Sequence, residues 1–261
     1  MADNPIAKQR VVFELPDMDK MAVQMNVPYG RANTRQRMDI YRPQGTTAAL
    51  PAVLFVTGYP DAGAEKMVGC PLKEMAAYTC WARLVASMGL VGILYENEEP
   101  IADARTLLDH LRAHSESLGV DTTHLGVWSC SGNVPNALGL LAENPDFACA
   151  ALCYGFTIDF DGHSEVASGA SQFGFAEAPN LPVAALSRTP MLLVRAGRDE
   201  VPGLNAALDR FVTYALRANL PLTLINYADG PHAFDIADST VGSVATIRQI
   251  LGFLRRHLIG D

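Results

Sequence analysis

Residues 125–140 read LGVWSCSGNVPNALGL, and the reading of the whole chain starts there. Leu125–Trp128 is apolar, Ser129-Cys130-Ser131-Gly132-Asn133 is a run of small and turn-forming residues, and a helical pattern follows at once. Pro135 falls in the first turn of that helix, where a missing N–H leaves no bond unmade. A strand that passes through so short a turn into a helix lifts one side chain above the carboxyl edge of a sheet. Two residues compete for that position. Backbones crowd two residues before it, where Cys130 would place Trp128 and Ser131 places Ser129. Crowding favours Ser131 and leaves Cys130 as a buried strand thiol. Gly126, five residues ahead of Ser131, fits the same reading, whereas Asn133 is larger than the residue expected two positions after it.

Outward from this segment, short apolar runs alternate with longer helical patterns. Val11–Leu15, Met21–Val27, Met38–Tyr41, Ala52–Val56, Leu90–Tyr95, His124–Ser129, Cys149–Tyr154, Met191–Arg195 and Leu222–Tyr227 read as strands. Several of the later ones are apolar throughout, as strands covered on both faces are. Helical windows are Lys73–Met88, Ile101–Leu118, Asn133–Ala142, Leu204–Ala218 and Val241–Leu258, the last with Ile247, Ile250, Leu251 and Leu254 on one face. Strands alternating with helices predict one α/β domain over residues 1–261, with a mainly parallel central sheet flanked by helices. The earliest strands, joined by short connections, suit antiparallel pairing at one edge. Residues 155–190 have no clean period, and a stretch of that length reads as a short cap or lid insertion.

Composition removes whole classes of function. The 261 residues carry 20 Lys+Arg against 28 Asp+Glu, a net charge of −8, which is the opposite of a nucleic-acid footprint. No basic run suggests an anionic membrane surface, and the apolar stretches are strand-length, short of the roughly 20 residues that cross a bilayer. The five cysteines are irregularly spaced and form no CxxC pair, as expected of reduced thiols in a cytoplasmic protein. Neither GxGxxG nor GxxxxGK occurs, so no cofactor is implied. A homodimer is compatible with the sequence.

A serine hydroxyl needs a base to take its proton, and there are six histidines to choose from. His110 and His114 lie one turn apart on a polar helix face without a third ligand, so they read as a solvated face rather than a metal site. His163, within Asp159-Phe160-Asp161-Gly162-His163, also lacks further spaced ligands. His124 opens a strand and His257 closes the last helix. His232 differs. It sits in Asp229-Gly230-Pro231-His232-Ala233-Phe234-Asp235, the turn between the last strand and the last helix. Loops after parallel strands gather at the carboxyl edge, on the side where Ser131 would project. The acid that orients this imidazole is expected in Ala196-Gly197-Arg198-Asp199-Glu200, the loop after the penultimate strand; Asp199 is the candidate and Glu200 the alternative. Backbone donors for a developing oxyanion are expected at Gly132, after the nucleophile, and at Tyr59 in Thr57-Gly58-Tyr59-Pro60, because Pro60 has no N–H. Trp128 and Phe234 are candidate walls of a substrate pocket.

The order Ser131, Asp199, His232, together with Asp39-Ile40-Tyr41-Arg42-Pro43, Thr57–Pro60 and Gly230–Asp235, resembles the α/β-hydrolase superfamily from about Met38 onward, nearest its dienelactone-hydrolase-like and acyl-peptidase-like esterases. The resemblance implies a nucleophile at Ser131, an acid at Asp199 and a base at His232, acting on a small-molecule carboxylic ester without a metal. Lactone or peptide-bond hydrolysis with the same triad, and a ligand-binding fold without catalysis, are the alternatives. The sequence departs from the resemblance at Thr57, where relatives often carry His, and at Asn133, where they carry Gly.

Overall fold

The computed structural model describes residues 5–31, 34–160, 162–178 and 181–260. The two ends of the 1–261 domain, and Asp161, Pro179 and Asn180 of the 155–190 segment, lie outside the described residues. Eight strands form one sheet: β1 (Ala22–Pro28), β2 (Arg37–Arg42), β3 (Leu50–Phe55), β4 (Val91–Tyr95), β5 (Val120–Cys130), β6 (Cys149–Cys153), β7 (Met191–Ala196) and β8 (Leu222–Tyr227). Their order is β1-β2-β4-β3-β5-β6-β7-β8. Strand β2 pairs antiparallel with β1 and β4, and all other pairs are parallel.

Alternate side chains of each inner strand feed two cores, as the pleat requires. From β3, Val53 and Phe55 enter one layer, and Ala52 and Leu54 the other. In β5 the same division separates Trp128 and Cys130 from Leu125 and Val127. The first layer is closed by α2 (Ala76–Ser87) and α9 (Val241–Ile259), through Trp81, Leu84, Ile250 and Leu254. The second is closed by α3 (Pro100–Ala113), α5 (Val134–Glu143) and α7 (Leu204–Arg217), through Leu107, Leu138 and Phe211. Shorter helices are α1 (Asp61–Val68), α4 (Ser115–Leu118), α6 (Glu165–Phe173) and α8 (Phe234–Ala237). No helix among the described residues is long and apolar enough to cross a membrane.

Three sequence expectations are corrected. Val11–Leu15 is not a strand. Val11 and Phe13 are buried alternately, but against helices: the Val12 N–H donates to the Asp235 carbonyl (2.8 Å), and the Arg248 guanidinium lies 5.2 Å from the Phe13 ring centre. Alternating burial needs only one apolar surface to lie on. The helix expected over Lys73–Met88 is broken, with a 3-10 turn at Leu72–Glu74, an extended Met75 (φ −64, ψ 133), and α2 only from Ala76. The helix expected over Ile101–Leu118 breaks at His114, which separates α3 from α4. Within 155–190 the irregular pattern conceals α6, whose Glu165 pairs with Arg210 of α7 at 2.5 Å.

The break before α2 has an electrostatic cause. Lys73 is 1% exposed, and its ammonium lies 3.2 Å from Asp39 of β2 and 3.1 Å from Glu96 after β4. It also donates to Asn26 Oδ1 at 2.9 Å. Burial by itself would lower the lysine's pKa, but the two carboxylates outweigh it and hold the ammonium above its ordinary value. Removing one partner of a buried ion cluster leaves charge uncompensated, so Lys73→Ala is expected to cost about 3–5 kcal/mol, read as a lowered urea midpoint.

Candidate active site

Strands β3 and β5 are neighbours, yet the chain leaves β3 towards β4 on one side before returning to β5 on the other. The carboxyl ends of two such strands frame a crevice between diverging connections, where ligands bind in open α/β sheets. The loop 57–60 leaves β3 there and the 131–133 turn leaves β5. Val56 N–H donates to the Trp128 carbonyl at 3.0 Å, and Ser129 Oγ–H to the Val56 carbonyl at 2.9 Å, so the two strand ends are stitched together.

Ser131 begins a 3-10 turn with φ 55. Among the described residues other than Gly, Asn and Asp, positive φ occurs at Ser131, Tyr154 and Ala233. All three line one cavity. Side chains with a Cβ avoid this region unless the surroundings force it, and such strain collects at functional sites. The turn also has no room for a side chain at Gly132, where a Cβ would collide with the Tyr59 hydroxyl and with Phe175.

The three residues selected from the sequence meet across this turn. Ser131 Oγ lies 3.0 Å from His232 Nε2, and His232 Nδ1 lies 2.6 Å from Asp199 Oδ2. The Asp199 side chain is fully covered, and its other oxygen accepts from the Val201 N–H at 3.0 Å. Glu200, the alternative, is exposed. With the Nδ1 proton directed at Asp199, Nε2 is left to accept from the serine hydroxyl. The His232 ring is held from the side by Tyr154, ring centres 5.1 Å apart and nearly perpendicular. Tyr154 in turn donates to Asp235 Oδ1 at 2.7 Å, and Trp81 Nε1 donates to Asp235 Oδ2 at 2.7 Å. Burial pushes the Asp235 carboxyl above its ordinary range.

A second network holds the 57–60 loop. Asn133 Oδ1 accepts from the Gly58 N–H at 2.6 Å, while Asn133 Nδ2 donates to the Tyr78 hydroxyl at 2.9 Å. Asn136 Nδ2 donates to the Thr57 carbonyl at 2.7 Å, and Asn97 Nδ2 reaches both Thr57 Oγ1 (2.9 Å) and the Tyr59 carbonyl (3.1 Å). A Cβ at Gly58 would sit 2.8 Å from the Gly132 carbonyl, so the loop and the turn touch backbone to backbone. Asn133 therefore consumes the Gly58 donor, whereas the Tyr59 and Gly132 N–H groups make no hydrogen bond to another described residue. Thr57 spends its hydroxyl inside this network.

Of the two candidate walls, Trp128 lines the cavity and Phe234 does not. Phe234 is completely buried behind His232, edge-on to Tyr154 and Tyr227. Sequence reasoning missed Asn97, Asn136, Tyr154 and Asp235. Asn136 carried a signal, being one polar residue in the otherwise apolar first turns of α5. Asp235 stood in the quoted His232 segment, and only packing showed that it turns inward.

No family model matches the sequence, and no curated protein matches it. Many solved structures do match in fold. The esterase rPPE is similar with a TM-score of 0.69 at 15% identity, covering 94% of this chain and 85% of the other. A bacterial heroin esterase is similar with a TM-score of 0.67 at 15% identity, covering 95% and 87%. LAE6, an α/β hydrolase from the metagenome of Lake Arreo, gives a TM-score of 0.65 at 19% identity, covering 92% and 86%. The chain has the α/β-hydrolase fold, in a single domain with a mostly parallel eight-stranded sheet.

Cys130 lies beside Ser131, and burial raises its thiol to about 12. It stays protonated across the neutral range, and the thiolate is the reactive form. Iodoacetamide at pH 8 is expected to leave Cys130 unmodified in the folded protein and to alkylate it in urea, as read by peptide mass spectrometry.

Proposed function

We propose that the protein is a serine hydrolase that cleaves carboxylic esters through an acyl-enzyme. The observation that carries this reading is the unbroken Ser131–His232–Asp199 relay, 3.0 and 2.6 Å in its two links, on a left-handed serine. Ser131 Oγ attacks the ester carbonyl carbon as His232 Nε2 takes the hydroxyl proton. The carbonyl π electrons move to oxygen, and the Tyr59 and Gly132 N–H groups stabilise the resulting oxyanion. Collapse breaks the bond to the alcohol, which leaves with the proton from His232. Water then repeats the sequence on the acyl-serine, returning the acid and the free hydroxyl. Asp199 remains a carboxylate throughout, holding the imidazole tautomer and stabilising its charged form.

Structural neighbours called esterases support ester hydrolysis at the level of fold, and the site supplies the chemistry. In this reading Asn133 is a positioning residue: it takes the place of the expected glycine and anchors the loop that carries the Tyr59 donor.

Ser131→Ala is expected to reduce kcat/KM on p-nitrophenyl acetate by at least about 1000-fold. A fluorophosphonate should label the wild type and not this variant. Equal turnover by both proteins would dismiss the mechanism. Asn133→Gly, which frees the Gly58 donor and loosens the loop, should lower kcat about tenfold with KM little changed. A raised KM with kcat unchanged would instead mark a binding role.

A further inference from the structure

A cavity of about 370 Å³ opens over Ser131 and His232. Its walls are not the 155–190 segment, from which no described residue lines it. The apolar side comes from Met67 and Val68 of α1, Leu72 and Met75 beside the 3-10 turn, Ile236 of α8 and Ile6. Met67 is 45% exposed and Ile6 36%, so the rim as well as the interior is apolar. The 155–190 segment packs instead against the 57–60 loop: its Ala176 N–H donates to the Gly58 carbonyl, and Phe175 packs edge-on against Tyr59.

Charge in this space is one-sided. Among the described residues no Lys or Arg lines it, and besides tyrosine and the Cys130 thiol the ionisable groups are His232 and Asp235. An anionic substituent bound here would lose its water, find no cation and face the buried Asp235, a cost that uncharged groups do not meet. Size is bounded as well. At roughly 30 Å³ per water-sized group, the cavity takes about a dozen non-hydrogen atoms. Lys73, which lies between Leu72 and Met75 in the chain, is anchored by Asp39 and Glu96.

We infer that the ester's apolar, uncharged portion, up to about a dozen non-hydrogen atoms, binds between α1, the Leu72–Glu74 turn and α2, with Leu72 and Met75 setting its length. The inference rests on the esterase reading and specifies its substrates: medium-chain or compact aryl esters are taken, and esters carrying a second, ionised carboxylate are rejected.

The experiment measures kcat/KM for p-nitrophenyl acyl esters from acetate to decanoate and for alkyl acetates from ethyl to decyl. The proteins are the wild type, Leu72→Trp and Leu72→Ala, with thermal melts to show that each is folded. In one series the wild type should gain up to about fourfold per methylene until the cavity is full. Leu72→Trp should lower the octyl-to-shortest ratio at least tenfold, and Leu72→Ala should move the optimum to longer chains. The mono-p-nitrophenyl ester of glutaric acid should be at least 100-fold poorer than p-nitrophenyl hexanoate. Flat responses in both series, Leu72 variants that scale every ester alike, or efficient cleavage of the glutarate would each overturn the inference. Turnover of acetate in those cases would leave the esterase reading standing. If no ester is cleaved at all, that reading falls instead, and calorimetric binding of 1-octanol to wild type and Leu72→Trp still decides whether the cavity is an apolar site: equal or absent binding rejects it.

Discussion

Everything at the site depends on two backbones being forced together at the centre of the sheet. Strands β3 and β5 are adjacent and parallel, so the chains leaving them, 57–60 and 131–133, must pass in contact. Contact leaves no space for a Cβ at Gly58 or Gly132 and forces Ser131 into the left-handed region. The strain is affordable because hydrogen bonds on both sides over-determine the turn: Ser129 to Val56, Asn133 to Gly58, Asn136 to Thr57. Once the turn is set, Ser131 Oγ has one direction to face, and His232 and Asp199 arrive from the ends of β8 and β7 to meet it.

Polar groups beneath the site divide into two systems with different tasks. The asparagines 97, 133 and 136 hold backbone, using neutral amides that can donate and accept at once without carrying a charge into the core. Asp235, by contrast, is a carboxyl held by Trp81 and Tyr154 behind the histidine, where it steadies the ring that flanks the imidazole. A third cluster, Lys73 with Asp39 and Glu96, stands apart from both and ties the segment before α2 to the sheet. Most polar atoms of these clusters are paired, Asn97 Oδ1 being an exception, which is how charge and polarity persist in an interior without unfolding it.

The alternation of apolar runs with helical windows was enough to read the class of fold, because strands buried on both faces lose every polar residue. The reading failed where a local pattern has two tertiary explanations. Val11–Leu15 alternates like a strand, but it lies on helices. Lys73–Met88 repeats like one helix, but a lysine anchored under the sheet edge breaks it. α6 lay concealed in 155–190 because it is only nine residues long and stands between stretches without a period. Of the site, Ser131, Asp199 and His232 were legible because each follows a strand at the same edge of the sheet. Phe234 was misjudged as a pocket wall: an aromatic beside a loop histidine can face the cavity or the core, and local sequence does not distinguish the two.

By itself the sequence determined the strand-to-helix turn at Ser131, the chain order of the relay and the acidic balance of charge, since these depend on residue type and on neighbours along the chain. The tertiary structure alone decided that Asn133 is a tie rather than a flaw, that Asp235 turns inward, and that the cavity is walled by α1 and the turn before α2 instead of by 155–190. Those are contacts between residues as much as 154 positions apart, as for Trp81 and Asp235, and no local pattern encodes a distance that only the packing of two layers on one sheet creates.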